Sequence, residues 1–365
     1  MLEVKEARET KSANNFVFGN SSFDNHEQVV FCYDRATGLK AIIAIHDTTL
    51  GPALGGTRMW SYKSEAEALN DVLRLSRGMT YKAAISGLGL GGGKAVILGD
   101  SKADKTPEMF RKYGKFIDSL NGRYITAEDV GTSTGDMVFV SESTKYVTGL
   151  PENLGGGGDP SPVTAYGVYM GMKAAAQERW GNDSLAGKKI AVQGVGHVGE
   201  NLVRLISEEN ARVSICDINQ EHANEVASKY KATIVELDKI YDVDADIYAP
   251  CALGATLNSE NIERLHCSIV AGAANNQLAD ENVHGKLLLE KGILWAPDFL
   301  INAGGLINVY SELKGYDRNE AMKQAEHIYS TTLEIFKKAK EEKITTVSAA
   351  MKIAGERIEL ARNLK

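Results

Sequence analysis

A glycine-rich turn in the second half of the chain constrains its fold more than any other feature. The turn, Gly194-Val-Gly-His-Val-Gly199, follows the apolar segment KKIAVQ. The segment ENLVRLISEEN after it reads as a helix, and RVSICD, which is completed by Asp217, reads as a second strand. A strand, a glycine turn, a helix and a strand in this order predict a doubly wound parallel sheet of the Rossmann type.

Each part of this turn has a physical role in binding a dinucleotide. Gly194 makes the tight turn, Gly196 lets the backbone approach a pyrophosphate, and Gly199 lets the helix pack closely on the strand. The helix N-terminus offers free N–H groups to the anion. Asp217 can accept hydrogen bonds from ribose hydroxyls and would repel a 2′-phosphate, which favours NAD over NADP. The predicted NAD contacts are Gly194, Val195, Gly196, His197, Val198, Gly199 and Asp217.

The composition excludes several classes of partner. A formal net charge of −7 provides no basic field for nucleic acid or for an anionic membrane. No apolar run approaches the roughly 20 residues that span a bilayer, and the charged N-terminus lacks the apolar segment of a signal peptide. The four cysteines and seven histidines show no metal-ligand spacing. We therefore expect a cytoplasmic protein with reduced cysteines and no metal.

The chain is too long for one typical hydrophobic core, because 365 residues predict two domains. The glycine- and proline-rich segment from Gly149 to Pro162 is the best boundary. We expect a first domain over residues 1–149 and the Rossmann domain over 150–334. A C-terminal helix at about 335–365 is expected to pack back on the first domain.

Further elements are predicted from short local patterns. Ser64-Glu-Ala-Glu67 is a capping box that opens a helix, and Thr106-Pro107 opens another. Strands are expected at 28–34, 39–46, 94–98, 123–126, 245–250, 268–273 and 293–297, and helices at 163–180 and from Asn319 onward. The sequence thus predicts an α/β protein whose first domain has a mixed sheet and whose second has a parallel one.

Two lysines lie close to a second glycine-rich stretch, Gly87-Leu-Gly-Leu-Gly-Gly-Gly93. A phosphate-binding P-loop would need glycine at Leu88 and Ser or Thr at Ala95, and it would follow a strand, so this stretch is not a P-loop. Lys82 continues the inward face of a helix, unless it is a surface lysine. Lys94 opens an apolar strand, just after glycines whose missing side chains let a ligand come close.

A carboxylate, Asp129, completes this group of candidate residues. It follows the segment Tyr124-Ile-Thr-Ala-Glu128, where a turn or a helix cap is the alternative interpretation. The two lysines and Asp129 all lie at the ends of elements in the same half of the chain and can meet in one cleft. Two lysines buried close together would lower each other's pKa, which suits a general base.

At these residues the chain resembles the family of glutamate, leucine, valine and phenylalanine dehydrogenases. The resemblance extends over nearly the whole chain, and the matching segments occur in the same order as in the family. They are Gly51-Pro-Ala-Leu-Gly-Gly-Thr-Arg58, Gly78-Met-Thr-Tyr-Lys82, Gly91-Gly-Gly-Lys94, Thr126-Ala-Glu-Asp129, Pro160-Ser-Pro-Val-Thr-Ala-Tyr-Gly167, the turn 194–199, Ala249-Pro-Cys-Ala-Leu-Gly-Ala255, Ala274-Asn-Asn-Gln277 and Asn302-Ala-Gly-Gly305.

The resemblance implies a role for each matching residue. Lys82 matches the lysine that holds the substrate α-carboxylate, Lys94 the general base, and Asp129 the carboxylate that moves a proton to and from the amino group. The implied cofactor contacts outside the glycine turn are Thr164, Asn275, Asn276 and Asn302. The implied reaction is reversible oxidative deamination, in which hydride passes to NAD and water converts the resulting imine to a 2-oxo acid and ammonia.

The resemblance also implies an architecture for the site and for the assembly. A substrate-binding domain that also carries the oligomer contacts would be separated from the NAD domain by a catalytic cleft. The family is commonly octameric, so a homo-octamer is expected.

The side-chain pocket favours a branched-chain amino acid. Glutamate-specific members of the family carry Lys at the position of Leu54 and a hydroxyl residue at that of Val309, whereas both residues are aliphatic here. A carboxylate buried there without a partner would cost several kcal/mol. The implied substrate contacts are Lys82, Leu54, Gly55, Gly56, Met79, Ala127, Val147, Leu306 and Val309. We expect L-leucine as the preferred substrate, with a valine- or phenylalanine-preferring enzyme or a catalytically silent NAD-binding sensor as the alternatives.

Overall fold

A computed structural model describes residues 17–364, which form two compact units. The first unit contains residues 17–48, Pro52–Thr80 and Gly91–Tyr146. The second contains Thr49–Gly51, Tyr81–Leu90 and the chain from Val147 onward. The expected boundary at residues 149 and 150 thus lies close to Val147, but two short earlier segments also belong to the second unit. Residues 1–16, which hold most of the N-terminal segment where no signal peptide is predicted, lie outside the described residues.

The first unit is built on a five-stranded mixed sheet, as predicted, in the order β1-β2-β4-β3-β5. The strands are β1 (Gln28–Asp34), β2 (Leu39–Asp47), β3 (Ala53–Trp60), β4 (Gly91–Leu98) and β5 (Tyr124–Glu128). Strands β4 and β5 both run parallel to β3, whereas β1 with β2 and β2 with β4 are antiparallel. Strand β3, which lies between β4 and β5, therefore places the ends of its two parallel neighbours at the same edge of the sheet.

Within the described residues, three α-helices accompany this sheet, and local sequence determines where they begin. They are α1 (Glu65–Ile85), α2 (Pro107–Asp118) and α3 (Thr134–Ser141). The predicted starts of α1 and α2 are confirmed, because Ser64 accepts a hydrogen bond from the Glu67 N–H and Thr106 caps α2. The apolar face of α1 buries Val72 and Leu73 against the sheet residues Ile42 and Val96.

Strand β3 is the strand of the five-stranded sheet that sequence reasoning missed. Gly55 and Gly56 interrupt its apolar pattern, and glycine weakens a strand interior. Strand β4 likewise begins at Gly91 rather than at Lys94, so Gly91–Gly93 are strand residues. A Cβ at Gly92 would lie 2.1 Å from the Thr80 nitrogen, and one at Gly93 would lie 2.7 Å from the Tyr124 ring. The interpretation that these two glycines leave space for a ligand is therefore wrong, since the chain itself occupies that space.

Gly55 provides a direct test of this close packing, because a Cβ there would lie 1.8 Å from the Gly93 carbonyl oxygen. We expect Gly55→Ala to lower the free energy of unfolding by more than about 3 kcal/mol, since the neighbouring strand must move. The matched control is Gly78→Ala in α1, where an added Cβ meets no atom of the described residues within 4 Å. Alanine in a helix interior is expected to stabilise by about 1 kcal/mol. Urea unfolding checks both, and equal midpoints would contradict the packing argument.

The second unit is built on a six-stranded sheet in which every described pair of strands is parallel. Its order is β11-β10-β9-β6-β7-β8, with β6 (Lys189–Gln193), β7 (Arg212–Cys216), β8 (Thr233–Ile234), β9 (Ile247–Pro250), β10 (Ile269–Val270) and β11 (Leu294–Trp295). This is the strand order of a doubly wound dinucleotide-binding fold, as predicted. The order reverses between β6 and β9, and ligands bind at such a point beyond the carboxyl ends of the strands.

The helices of the second unit lie before, between and after these strands along the chain. They are α4 (Ser161–Trp180), α5 (His197–Glu208), α6 (Gln220–Tyr230), α7 (Ser259–Arg264), α8 (Glu281–Glu290), α9 (Asp298–Ile301), α10 (Gly304–Glu312), α11 (Arg318–Glu342) and α12 (Thr346–Asn363). The single helix expected from Asn319 onward is thus two helices. Lys343 ends α11 in a left-handed conformation, with φ of 56°, and the side chain of Thr345 caps α12.

The C-terminal helix α12 belongs to the second unit. Its Arg357 donates hydrogen bonds to the carbonyl oxygens of Ala84, at 3.2 Å, and Ile85, at 2.7 Å. The contact with the early part of the chain is therefore made through the last turn of α1, which lies in this same unit. Between residues 17 and 364, no helix combines the length and the apolar character that crossing a membrane requires.

Candidate active site

The first unit brings together Lys94 and Asp129. Lys94 lies in β4 and is buried, whereas Asp129 follows the last residue of β5 and is partly exposed. The Lys94 Nζ lies 3.1 Å from the Asp129 Oδ2. Gly56 of β3, the strand between them, has no side chain to fill this space, and a Cβ there would lie 3.0 Å from the Asp129 Cβ. The sequence predicted that both lysines and Asp129 can meet in one cleft, and within the first unit the structure pairs Lys94 with Asp129.

A third group, Arg58 of β3, was missed as a site residue. Its Nε donates to the Asp129 Oδ2 at 3.0 Å, and its Nη1 donates to the Asp71 Oδ2 of α1 at 2.9 Å. Tyr62 also donates to the Asp71 Oδ2, at 2.8 Å. The signal that could have found Arg58 is its place in a strand directly after two glycines and a threonine, because an arginine in such a position needs a carboxylate partner.

Burial sets the protonation of Lys94. It lowers the pKa of the ammonium group, and the positive charge of Arg58 lowers it further, whereas the Asp129 carboxylate opposes both. The cation that lowers the pKa within this unit is therefore Arg58, where the sequence suggested Lys82. Burial also disfavours the ionised form of Asp129, but the charges of Lys94 and Arg58 outweigh it and hold the pKa of Asp129 below its ordinary value. The site thus contains an ionised carboxylate beside a lysine that releases its proton more readily than a surface lysine.

The apolar candidates of the first unit lie close to this pair in the sheet. Leu54 and Ala127 are buried in β3 and β5, and Gly56 pairs with Ala127 across the two strands. Gly55 is buried in β3, and Met79 is half-buried in α1. In the second unit, Val147 and Leu306 are buried and Val309 is half-buried, with Leu306 and Val309 one turn apart on α10. Leu54 and Ala127 thus lie on paired strands of the first unit, and Leu306 and Val309 lie on one helix of the second.

Lys82 belongs to the second unit and contacts Asn302 there. The Lys82 Nζ donates to the Asn302 Oδ1 at 2.7 Å. The Asn302 Nδ2 donates in turn to the Asn275 Oδ1 at 2.8 Å and to the Ala273 carbonyl at 3.1 Å. Asn302 was expected to contact the cofactor, and the structure places its amide between the predicted substrate lysine and the predicted cofactor residue Asn275. Asn276 follows with φ of 51°, and its carbonyl accepts from the Ala255 N–H at 2.7 Å.

Thr164 lies in the first turn of α4, where its hydroxyl donates to the Pro160 carbonyl at 3.0 Å. The start of α10 packs directly on this turn, since a Cβ at Gly304 would lie 2.4 Å from the Thr164 Cα. Gly305 lies on the same side, where a Cβ would be 3.7 Å from the Thr164 hydroxyl oxygen. Thr164 is thus fixed in position by backbone contacts.

The glycine turn has the shape that a dinucleotide requires. Gly194 has φ of +94°, and a Cβ there would lie 2.7 Å from the Cβ of Ala252, which follows β9. A Cβ at Gly199 would lie 2.1 Å from the Gly194 carbonyl oxygen, so helix α5 touches the turn. Gly196, by contrast, is exposed and a Cβ there would meet no atom of the described chain within 4 Å. The glycines thus have the separate roles that the sequence predicted.

The N-terminus of α5 is open to an anion. The helix begins at His197, and its N-cap Gly196 has no side chain that could accept from the first N–H groups. Asp217 lies beside the turn and accepts a hydrogen bond from the Val195 N–H at 2.8 Å. His222 of α6, which sequence reasoning missed, lies with its Nε2 2.9 Å from the Val195 carbonyl. An open helix terminus, a glycine cradle and a carboxylate at the end of β7 fit a nicotinamide dinucleotide.

Among residues 17–364, no group of histidine, cysteine or acidic side chains is arranged to hold a metal ion. A dinucleotide-binding sheet in one unit and a buried lysine–carboxylate pair in the other define the class as a nicotinamide-dependent oxidoreductase.

Comparisons with known proteins define this class further. Residues 26–146 match the family model of the Glu/Leu/Phe/Val dehydrogenase dimerisation domain. Residues 155–220 and 213–365 match the Glutamate/Leucine/Phenylalanine/Valine dehydrogenase model. The chain is 58% identical to leucine dehydrogenase of Thermoactinomyces intermedius over 341 residues, and this match covers 93% of each chain. It is 52% identical over 340 residues to an L-tryptophan dehydrogenase of Nostoc punctiforme, which covers 93% of this chain and 95% of that one.

A solved structure shares the fold over nearly its full length. The crystal structure of L-tryptophan dehydrogenase from Nostoc punctiforme superposes with a TM-score of 0.85 at 50% sequence identity, over 93% of this chain and 97% of that chain. The chain therefore belongs to the Glu/Leu/Phe/Val dehydrogenase family. It is an amino-acid dehydrogenase, an oxidoreductase that uses a nicotinamide cofactor.

Proposed function

We propose that this dehydrogenase oxidises L-leucine and other branched-chain L-amino acids with NAD, and that it releases the 2-oxo acid and ammonia in a reversible reaction. The observation that carries the proposal is the buried Lys94, 3.1 Å from Asp129, in a sheet where the neighbouring candidate Leu54 is aliphatic and buried. The leucine dehydrogenase that is 58% identical supports it.

Each proposed role follows from the charge and position of the residue. Lys82 binds the substrate α-carboxylate, because its ammonium group carries the opposite charge and is held 2.7 Å from the Asn302 Oδ1. Lys94, whose pKa is lowered by burial, takes a proton from water as that water attacks the imine carbon. Asp129 then carries a proton to the departing amine, so ammonia leaves and the carbonyl forms. A nicotinamide bound in the second unit supplies the hydride acceptor.

The substrate preference is the finer part of the proposal. The L-tryptophan dehydrogenase that is 52% identical favours an aromatic amino acid as the alternative, because it shows how small the sequence difference between these activities can be. Leu54 and Val309 nevertheless offer no charged or hydroxyl group to a substrate side chain. Aliphatic side chains are thus expected to bind without a polar partner, and glutamate is not.

A substrate panel tests this preference. We expect kcat/KM for L-leucine to exceed that for valine by a factor of about 200 or less, because valine lacks one methylene and a methylene is worth about 1–3 kcal/mol. Isoleucine, an isomer of leucine that is branched one carbon earlier, is expected to fall within the same range. Activity with L-glutamate is expected to be undetectable beside leucine. The measurement is the formation of NADH by absorbance at alkaline pH. A larger kcat/KM for phenylalanine or tryptophan than for leucine would replace the aliphatic assignment, and no rate with any of them would end the enzyme proposal.

The choice of NAD over NADP is proposed from Asp217. Its carboxylate lies at the end of β7 beside the turn, where it would meet a 2′-phosphate with a like charge. Asp217→Asn keeps an oxygen that can accept from the Val195 N–H but removes the charge. We expect this variant to raise the ratio of kcat/KM for NADP to that for NAD about tenfold or more, equivalent to about 1.4 kcal/mol. The control Asp217→Ala loses both the charge and the acceptor oxygen, and it is expected to weaken the binding of NAD as well. An unchanged ratio in Asp217→Asn would contradict the role of the charge.

The assembly and location are also proposals. The match of residues 26–146 to a dimerisation domain supports a homo-oligomer, and we propose an octamer. Light scattering during size-exclusion chromatography measures its mass directly. All four cysteines, Cys32, Cys216, Cys251 and Cys267, are free, which supports a cytoplasmic location.

A further inference from the structure

We propose that Arg58 is a positioning residue of the reaction, which holds the Asp129 carboxylate in one orientation and serves as its counter-ion when Lys94 is neutral. This inference rests on the roles proposed above for Lys94 and Asp129. Arg58 itself touches neither the substrate nor the reacting atoms in the proposed chemistry, and it acts through Asp129.

The guanidinium group of Arg58 is fixed at two ends. Its Nε binds the Asp129 Oδ2 at 3.0 Å, and its Nη1 binds the Asp71 Oδ2 at 2.9 Å. Asp71 is itself held by the Tyr62 hydroxyl at 2.8 Å and by an Arg74 Nη at 3.0 Å. Because a planar guanidinium tied at two points cannot rotate freely, the direction from which it approaches Asp129 is set by β3 and α1.

Both cations bind the same oxygen of Asp129. Arg58 Nε and Lys94 Nζ lie 3.0 and 3.1 Å from Oδ2. Over the described part of the chain, no donor binds Oδ1. The backbone is held as well, because the Asp129 N–H donates to the Thr132 hydroxyl at 2.9 Å and this hydroxyl donates to the Thr57 carbonyl at 2.8 Å. The arrangement leaves Oδ1 as the oxygen that can exchange a proton with a substrate amine.

The charges of the cluster explain why a second cation is needed. Lys94, Arg58, Asp129 and Asp71 together are neutral when all four are ionised. If Lys94 were the sole partner of Asp129, loss of its proton would leave a largely buried carboxylate unpaired, which is strongly unfavourable. Arg58 remains charged under all relevant conditions and keeps Asp129 paired. Lys94 can therefore become neutral without that penalty.

The groups that act on Lys94 come from each neighbouring element. Asp129 after β5 and Asp71 of α1 raise its pKa, whereas Arg58 of β3 lowers it, and β2 places the uncharged Ala44 opposite it. Removing Arg58 is thus expected to raise the pKa of Lys94. Removing the charge of Asp71 is expected to lower it, so the two changes have opposite signs.

The experiment compares Arg58→Gln and Asp71→Asn with the natural enzyme. The pH dependence of kcat/KM for L-leucine is measured together with acetylation of Lys94 by acetic anhydride, which reacts with the neutral amine and is quantified by mass spectrometry without substrate or cofactor. Each measurement gives a transition, the pH at which kcat/KM or the acetylation rate reaches half its maximum. For Arg58→Gln we expect both transitions to move up by about one pH unit or more, so that kcat/KM near neutral pH falls about tenfold and partly recovers in alkali. For Asp71→Asn we expect a shift to lower pH.

Two further variants serve as controls for these pH shifts. Arg111→Gln removes a cation of the same unit that binds Glu142 at 2.6 Å, away from this cluster, and is expected to leave both transitions unchanged. Arg58→Lys keeps the charge without the two-point contact, and its transition is expected to lie between those of the natural enzyme and Arg58→Gln. It carries the test if Arg58→Gln does not fold.

The outcomes separate this inference from the proposed function. A uniform fall in kcat with unmoved transitions in the Arg58 variants would reduce Arg58 to a structural residue and overturn the proposal. Full activity in Lys94→Ala would instead overturn the role of Lys94 itself. An inactive Lys94→Ala combined with unmoved transitions in Arg58→Gln would refute the Arg58 proposal alone.

Discussion

Replacing Lys94 with alanine is expected to lower kcat for L-leucine oxidation by a factor of about 10³ or more. The buried amine is the group proposed to take a proton from the attacking water, and a positioned general base contributes about 10² to 10⁴ in rate. The fold is expected to survive, because Arg58 remains to pair with Asp129 at 3.0 Å. Stopped-flow and steady-state absorbance at 340 nm measure the rate, and calorimetry measures NAD binding.

A matched pair of variants separates the charge of Lys94 from its basicity. Lys94→Arg keeps a positive charge beside Asp129 but cannot lose its proton, so we expect no recovery of kcat. Lys40→Ala, at an exposed position of β2, is the control for the loss of a lysine from the same sheet. NAD is expected to bind to all three variants with unchanged affinity, since the glycine turn lies in the other unit. Substantial turnover in Lys94→Ala or Lys94→Arg would remove Lys94 from the role of base.

The predicted parts of the fold are those that depend on local chain geometry. The turn at Gly194 needs a positive φ, and Gly199 needs close approach between helix and strand, so their spacing encodes the structure directly. The start of α2 is likewise determined by two adjacent residues, Thr106 and Pro107. Such signals can be recognised without knowing which elements meet in space.

The parts that were missed depend on contacts between distant segments. Strand β3 forms because β4 and β5 pair on either side of it, and this packing requires the very glycines, Gly55 and Gly56, that weaken its strand pattern. The partners of Arg58 lie 13 positions away at Asp71 and 71 positions away at Asp129. The break at Lys343 carries no glycine or proline, and the only local signal is the capping residue Thr345 two positions later.

The same reasoning explains why the cause of the lowered pKa of Lys94 was misjudged. The sequence places Lys82 only 12 positions from Lys94, and proximity along the chain suggested mutual repulsion. Burial in the sheet is the larger cause, and Arg58 is the cation beside it. The burial of a group and the charges around it are properties of the packed structure. Sequence spacing predicts that two charged groups are neighbours only where both lie on the same helix or strand.

Leu54→Lys is expected to raise the ratio of kcat/KM for L-glutamate to that for L-leucine by a factor of about 10³ or more. Leu54 is 2% exposed, so a substrate carboxylate placed against it is unpaired, and relief of such a group is worth several kcal/mol. The new ammonium group would pair with glutamate, and it would at the same time oppose the leucine side chain. The ratio is measured with saturating NAD at one pH for both substrates.

The control for Leu54→Lys is Leu54→Met, which keeps a similar apolar volume and is expected to change the ratio by less than about tenfold. Thermal unfolding and NAD binding show whether each variant is folded. Because Leu54 is buried in β3, the competing explanation of its apolar character is that it is a core residue that does not contact the substrate. In that event a folded Leu54→Lys would lose stability but keep its preference for leucine. A changed preference at unchanged NAD affinity therefore assigns Leu54 to the substrate pocket, because a purely structural lesion has no reason to favour a carboxylate over an isobutyl group.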